Sequence, residues 1–133
     1  DKHLAARMGL FGGKVCDTME HYVYPQENGS HGETRYAGIT DRRGLGLAML
    51  GVPEFSFSAH HYTTMDIHTA KHDSELCERA ETVVNIDAKM NGIGSASCGP
   101  HLHDKYCFKG ESFDFAFRLV PYFSEDIDPE KLY

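Results

Sequence analysis

The sequence predicts an all-β fold, an antiparallel β-sandwich, on three observations. Short segments alternate apolar with polar residues, turn-forming residues separate them at regular spacing, and one segment alone changes to helical spacing. At 133 residues the chain has the size of one domain, long enough to enclose a core. Hydrophobic residues at 41% and charged residues at 25% are the proportions of a folding globular chain rather than a disordered one.

The elements follow in order. Val15 to Tyr24, rich in β-branched and aromatic residues and stopped by Pro25, reads as a strand at a sheet edge. Thr34–Thr40 and Leu45–Leu50 read as an antiparallel pair, because Asp41-Arg42-Arg43-Gly44 between them ends in the glycine a tight hairpin needs. Glu54 to Ala59 repeats the alternation briefly, with Phe55 and Phe57 inward. A short helix is expected near residues 64–74, where Met65, Ile67 or His68, His72 and Leu76 recur at helical spacing behind a Thr63-Thr64 N-cap. Thr82 to Met90 alternates again, with Val84, Ile86, Ala88 and Met90 facing one way and Asn85, Asp87 and Lys89 the other. Asn91 to Pro100 is a glycine-rich loop, and long irregular loops are where function concentrates. The clearest strand is Ser112 to Leu119, with Phe113, Phe115, Phe117 and Leu119 on the inward face and Asp114 and Arg118 opposite.

Bulk charge narrows the function. Thirteen basic against twenty acidic side chains give a net charge of −7, and no Lys/Arg run could track a phosphate backbone, which argues against nucleic acid as partner. No apolar stretch reaches the ~20 residues of a membrane helix. The opening Asp1-Lys2-His3-Leu4 is neither a start methionine nor a signal peptide, so the chain is expected to begin inside a longer protein. Cys16, Cys77, Cys98 and Cys107 form no C-x-x-C pair and read as reduced thiols of a cytoplasmic protein; a Cys98–Cys107 bridge stays open, because only geometry decides it.

Several groups carry residue types that could support chemistry. His68 and His72, four apart on the expected helix and flanked by Asp66 and Asp73, are the sharpest metal candidate, but two ligands do not make a site and no third is committed. A solvated helix face with His72 half-buried is the plainer reading. His60-His61 and His101-Leu102-His103 are weaker, since neighbours on a strand point to opposite faces. Cys98 with His101 or His103 could form a nucleophile and base, yet no oxyanion-hole motif accompanies them. Glycoside hydrolysis needs two carboxylates about 5–10 Å apart. Glu27 and Asp87 read instead as structural acceptors, and no catalytic pair is nominated. Gly92 to Pro100 has the glycines and hydroxyls of a phosphate cradle without its Lys-Ser/Thr ending.

The run Tyr24-Pro25-Gln26-Glu27-Asn28-Gly29, followed by Thr34-Arg35, resembles the signature of the C-terminal domain of lactose-hydrolysing β-galactosidases of glycoside hydrolase family two. In matching order come Phe57-Ser58-Ala59 with Tyr62-Thr63, Ala70-Lys71-His72 with Glu75-Leu76, Asn85-Ile86-Asp87, Met90 to Pro100, and the strand Phe113 to Pro121. Ala5 to Gly9 also fits, so the resemblance covers nearly the whole chain. It implies a fold similar to the C-terminal half of a galactose mutarotase-like super-sandwich. The missing half would leave a sheet edge or apolar face open, and homo-oligomerisation is expected from that.

The resemblance also implies that the catalytic glutamates and any Mg²⁺ and Na⁺ ligands lie in a barrel outside these residues. This domain would then be non-catalytic and hold no cofactor. Its implied contribution is a loop at the active-site mouth, matching Gly92 to Pro100, with Cys98, Ser97 and Ser95 as substrate-contacting candidates. Family members place a tryptophan there; Cys98 stands nearest that position in a chain with no tryptophan at all. A second reading is a stand-alone carbohydrate-binding or mutarotase-like module.

Overall fold

The computed structural model describes residues 8–90, 98–110 and 112–133. Among them the chain is all-β: mostly antiparallel sheet with one short α-helix and a few single 3-10 turns. The strands are β1 (His31–Thr40), β2 (Leu45–His60), β3 (Val83–Asp87) and β4 (Ala116–Phe123), and the helix α1 is Thr64–Thr69. Strand order is β1-β2-β3, with β4 also paired to β2. The chain divides into two compact units, Asp1–His31 with Phe57–Ile86, and Gly32–Ser56 with Asp87–Tyr133.

The second unit is built on the hairpin. Asp41 makes the turn: its Oδ1 accepts from the amides of Arg43 at 2.8 Å and Leu45 at 2.9 Å, while Gly44 takes a φ of +86° that suits glycine. β4 runs antiparallel to β2, from Leu45 opposite Phe123 to Val52 opposite Ala116. Ala48, Leu50 and Tyr122 form the buried core on one side of this pair, and Tyr36, Val120, Ile127 and Leu132 pack against them. Gly46 faces Tyr122 across the ladder, and a Cβ there would meet the ring at 2.6 Å. A Cβ at Gly38 on β1 would meet the Tyr122 hydroxyl oxygen at 2.6 Å. Two glycines thus leave the space one tyrosine occupies.

The first unit buries Ala59, Tyr62, Ile67 and Ala70. α1 starts at a capping box: Thr63 Oγ1 accepts from the Asp66 amide at 3.1 Å, and the Asp66 carboxylate accepts from the Thr63 amide at 2.8 Å. Asn85 on β3 donates to the Ser58 hydroxyl at 3.1 Å.

Five expectations are corrected. Val15 to Tyr24 is not a strand: Val15–Thr18 is a 3-10 turn, and Val23 and Tyr24 are exposed. Local bonds replace the ladder there, with the Asp17 amide donating to Lys14 O and the Glu20 amide to the Asn28 side chain. Leu45–Leu50 and Glu54–Ala59 are one strand rather than two, its residues Phe55, Ser56 and Ser58 to His60 all buried, so alternation vanishes where both faces are covered. The helix ends at Thr69, because Ala70 is extended, with φ −67° and ψ 131°. β3 is shorter than the alternation from Thr82 to Met90. The strand expected from Ser112 begins at Ala116; on it Tyr122 is buried and Val120 half-buried, while Phe117 and Leu119 are exposed, as is Phe113 before it.

Candidate functional site

The motif residues Pro25 to Gly29 fold into a buried knot rather than a reactive surface. Pro25, Asn28 and Gly29 are buried, with Gln26 and Glu27 exposed between them. Asn28 uses its side chain in three directions: Oδ1 accepts from the Glu20 amide at 3.0 Å, and Nδ2 donates to Gln26 O at 2.9 Å and contacts Met19 Sδ at 3.4 Å. Its carbonyl accepts from His60 Nε2 at 2.8 Å. That bond puts the His60 proton on Nε2 and leaves Nδ1 as a buried acceptor with no partner among the described residues. Gly29, at φ +71°, lies so close that a Cβ would meet His60 Cε1 at 2.8 Å and Thr18 O at 2.9 Å.

A shallow cleft in the same unit is lined by Asp66, Thr69, Glu75, Cys77, Glu78 and Arg79. Two of its charges are committed to each other. Arg79 forks onto Asp66, Nε to Oδ2 at 2.5 Å and Nη2 to Oδ1 at 2.7 Å. Those guanidinium bonds, followed by the bonds from Thr63, hold the Asp66 carboxyl well below the usual carboxylate range. Glu75 Oε2 accepts from the Lys71 amide at 3.0 Å. Asp66 therefore stays ionised at neutral pH, the wrong state for a general acid.

The metal candidate does not assemble. His68 sits in α1 and His72 beyond its end, capping the 3-10 turn Asp73–Glu75, and both are exposed. His72 is therefore not half-buried as expected. Asp73 instead receives His21, whose Nδ1 lies 2.9 and 3.0 Å from its two oxygens. No spacing in the sequence signalled that pair, since 52 residues separate them. Among the described residues no group of three or more His, Cys, Asp or Glu side chains could hold a metal ion.

Of the loop candidates, Ser95 and Ser97 lie outside the described residues, while Cys98 is exposed, as are Gly99 and Pro100. All four cysteines are free. The Cys107 thiol sits 3.6 Å from Leu102 O and from His103 O, so it closes its own turn. His103 caps the 3-10 turn Asp104–Tyr106, and both it and His101 are exposed. Among the described residues no helix is long and apolar enough to cross a membrane.

Residues 1–119 match the family model described as β-galactosidase small chain. A β-galactosidase of Actinobacillus pleuropneumoniae is 38% identical over 120 residues, covering 90% of this chain and 11% of that protein. β-Galactosidases of Staphylococcus xylosus, at 35%, and Kluyveromyces lactis, at 30%, each cover 90% of this chain and 12% of their own length. The chain thus spans only about one-ninth to one-eighth of the relatives it matches. A family match over nearly its whole length, in the order of the Pro25 to Gly29 knot and the strands that follow it, places the chain in the β-galactosidase small-chain family.

Proposed function

We propose that this chain is a non-catalytic domain of a β-galactosidase, the full-length enzyme hydrolysing terminal β-D-galactosides such as lactose in the cytoplasm. The observation that carries the reading is coverage. Nine-tenths of the chain matches proteins named β-galactosidase, yet it accounts for little more than a tenth of each. The state of the carboxylates supports the same reading: the cleft's Asp66 is locked as an anion by Arg79, and Glu75 caps a backbone amide.

The domain's contribution to the enzyme is the Gly92–Pro100 loop at the active-site mouth, with Cys98, Ser97 and Ser95 toward the sugar. Exposure of Cys98 supports this. A thiol offers a small apolar contact where an aromatic ring would offer a stacking platform, so the leaving-group subsite is a loose one. In this reading any Mg²⁺ and Na⁺ ligands of the parent enzyme lie in its other domains; among the described residues no group of three or more His, Cys, Asp or Glu side chains could hold a metal ion. The fold extends, in the full-length protein, to a super-sandwich of which these strands are one part.

The purified chain, assayed with a chromogenic β-galactoside, is expected to show no turnover above a blank, and galactose titration by calorimetry no saturable heat. Turnover with contaminating hydrolase excluded would overturn the reading. In the full-length enzyme, Cys98→Trp is expected to shift the ratio of hydrolysis to sugar transfer; an unchanged ratio removes the loop's role.

A further inference from the structure

The Ala48, Leu50 and Tyr122 face of the second unit is covered from within the unit, by residues 124–133. β4 delivers the chain to the Leu45 end of β2, where the Ser124 amide donates to Gly44 O at 2.9 Å. Nine residues later the Tyr133 hydroxyl donates to Pro53 O at 3.1 Å, so the segment has doubled back along the same stretch of β2. Between these ends it is held by side chains. Ile127 and Leu132 pack against the buried cluster. Pro129 sits so close to Gly38 that a Cβ there would meet its Cγ at 2.8 Å. The Tyr133 ring lies 6.2 Å from that of Tyr36. Ile127, Pro129 and Leu132 are half-buried, and the residues around them are exposed.

We propose that residues 124–133 form a strap that opens and closes as one unit over the Ala48, Leu50 and Tyr122 face while the sheet beneath stays folded. The two attachments differ in kind. β4 is joined to β2 by a continuous antiparallel ladder from Leu45–Phe123 to Val52–Ala116. The strap's remaining backbone bonds are turns of its own, from the Asp126 and Ile127 amides to Phe123 O and from the Lys131 amide to Asp128 O, which survive when it lifts. Among the described residues no ion pair ties it down, although it carries Glu125, Asp126, Asp128 and Glu130. Lifting therefore breaks the bonds at its two ends and unseats Ile127, Pro129 and Leu132 together, whereas opening the sheet breaks a whole ladder. Segments with few buried apolar contacts open at lower free energy than the strands they cover. The strap also lies past residues 1–119, so its cover is supplied by sequence outside the family match.

Amide hydrogen exchange of the 133-residue chain, resolved by residue with NMR, tests this. The Ile127 and Lys131 amides are expected to be protected, to exchange at one common rate, and to do so roughly tenfold or more faster than the amides of the β2–β4 ladder. Leu132→Ala should speed exchange in the strap by roughly tenfold and leave the ladder amides within about twofold of their former rates. Binding of a dye that fluoresces on apolar surfaces should rise in the same variant. Glu125→Ala, at an exposed position of the strap's first turn, should change neither readout. If Leu132→Ala unfolds the chain, Tyr133→Phe decides, since it keeps the ring and removes only the bond to Pro53 O. Strap amides that exchange at the ladder's rate overturn the proposal, because strap and sheet are then one cooperative unit. So do strap amides with no protection, or a folded variant that speeds strap and ladder equally.

Discussion

His60 on β2 donates its Nε2 proton to the carbonyl of Asn28, 32 residues away, at 2.8 Å, and both residues are almost completely buried. The bond ties the motif loop to the long strand and explains why the motif reads Asn-Gly at that point. Asn28 needs an amide that can accept from Glu20 and donate to Gln26 at once, and Gly29 must leave room for the imidazole. At Asn28 and Gly29, a stretch that stands out in the sequence as a family signature is thus explained by packing.

Asn28→Ala is expected to destabilise the chain by about 1–3 kcal/mol, because it removes a fully buried side chain together with its hydrogen bonds to the Glu20 amide and the Gln26 carbonyl. Urea denaturation at neutral pH, with the slope compared between the two proteins, measures this.

Gly29→Ala should cost about 2 kcal/mol or more, since it places a side chain at φ +71° and brings a Cβ against the Thr18 carbonyl, which is backbone and cannot swing away. The same unfolding experiment checks it, and a neutral effect would mean that the knot is looser than its contacts.

Tyr122 and Gly46 form a coupled pair in the second unit. Gly46→Ala is expected to destabilise by about 2 kcal/mol while the ring is present, and by clearly less when combined with Tyr122→Ala, which alone removes about 3–5 kcal/mol of core packing. A double-mutant cycle from denaturant midpoints reads out the difference.

Asp66 sets part of the acid limb of stability. Its carboxyl is held below its ordinary value of 3.8, chiefly by Arg79. A depressed folded-state pKa contributes stability that is complete above the ordinary value and lost as pH falls from there toward the folded value. Asp66→Asn is therefore expected to lower the thermal midpoint at pH 7 and to narrow its deficit against the unaltered chain as pH drops below about 4. A constant deficit down to pH 2 would show that the Asp66–Arg79 pair does not govern this limb.

The His21–Asp73 pair has good distances but sits in solvent, with side chains 64% and 42% exposed. His21→Ala should change stability by less than about 1 kcal/mol at neutral pH. A larger loss, measured by the same denaturation, would assign the pair a role beyond that of a surface contact.

The hairpin of the second unit was legible because its determinants are local: Asp41 and Gly44 act on amides within four residues, and no distant group is needed to close the turn. The cap of α1 was legible for the same reason, Thr63 and Asp66 lying three apart. The family was legible in residue order from the Pro25 to Gly29 run onward, and the comparisons support it over residues 1–119. A sugar-contacting role for the loop rests on that resemblance alone, and Ser95 and Ser97 lie outside the described residues.

By itself, then, the sequence determined the all-β class and the turn chemistry, each being a property of residue types or of neighbours a few positions apart. The tertiary structure alone decided which face of β4 is covered, that two apolar runs join as one strand, and that Asn28 belongs to His60. Alternation marks two faces on a strand without saying which will be buried. In β4 the phenylalanines made the odd face look like the core, but Ile127 and Leu132 pack against the cluster of Ala48, Leu50 and Tyr122 on the other face. Burial is settled by what the rest of the chain brings to a surface, and that depends on contacts between residues distant in sequence.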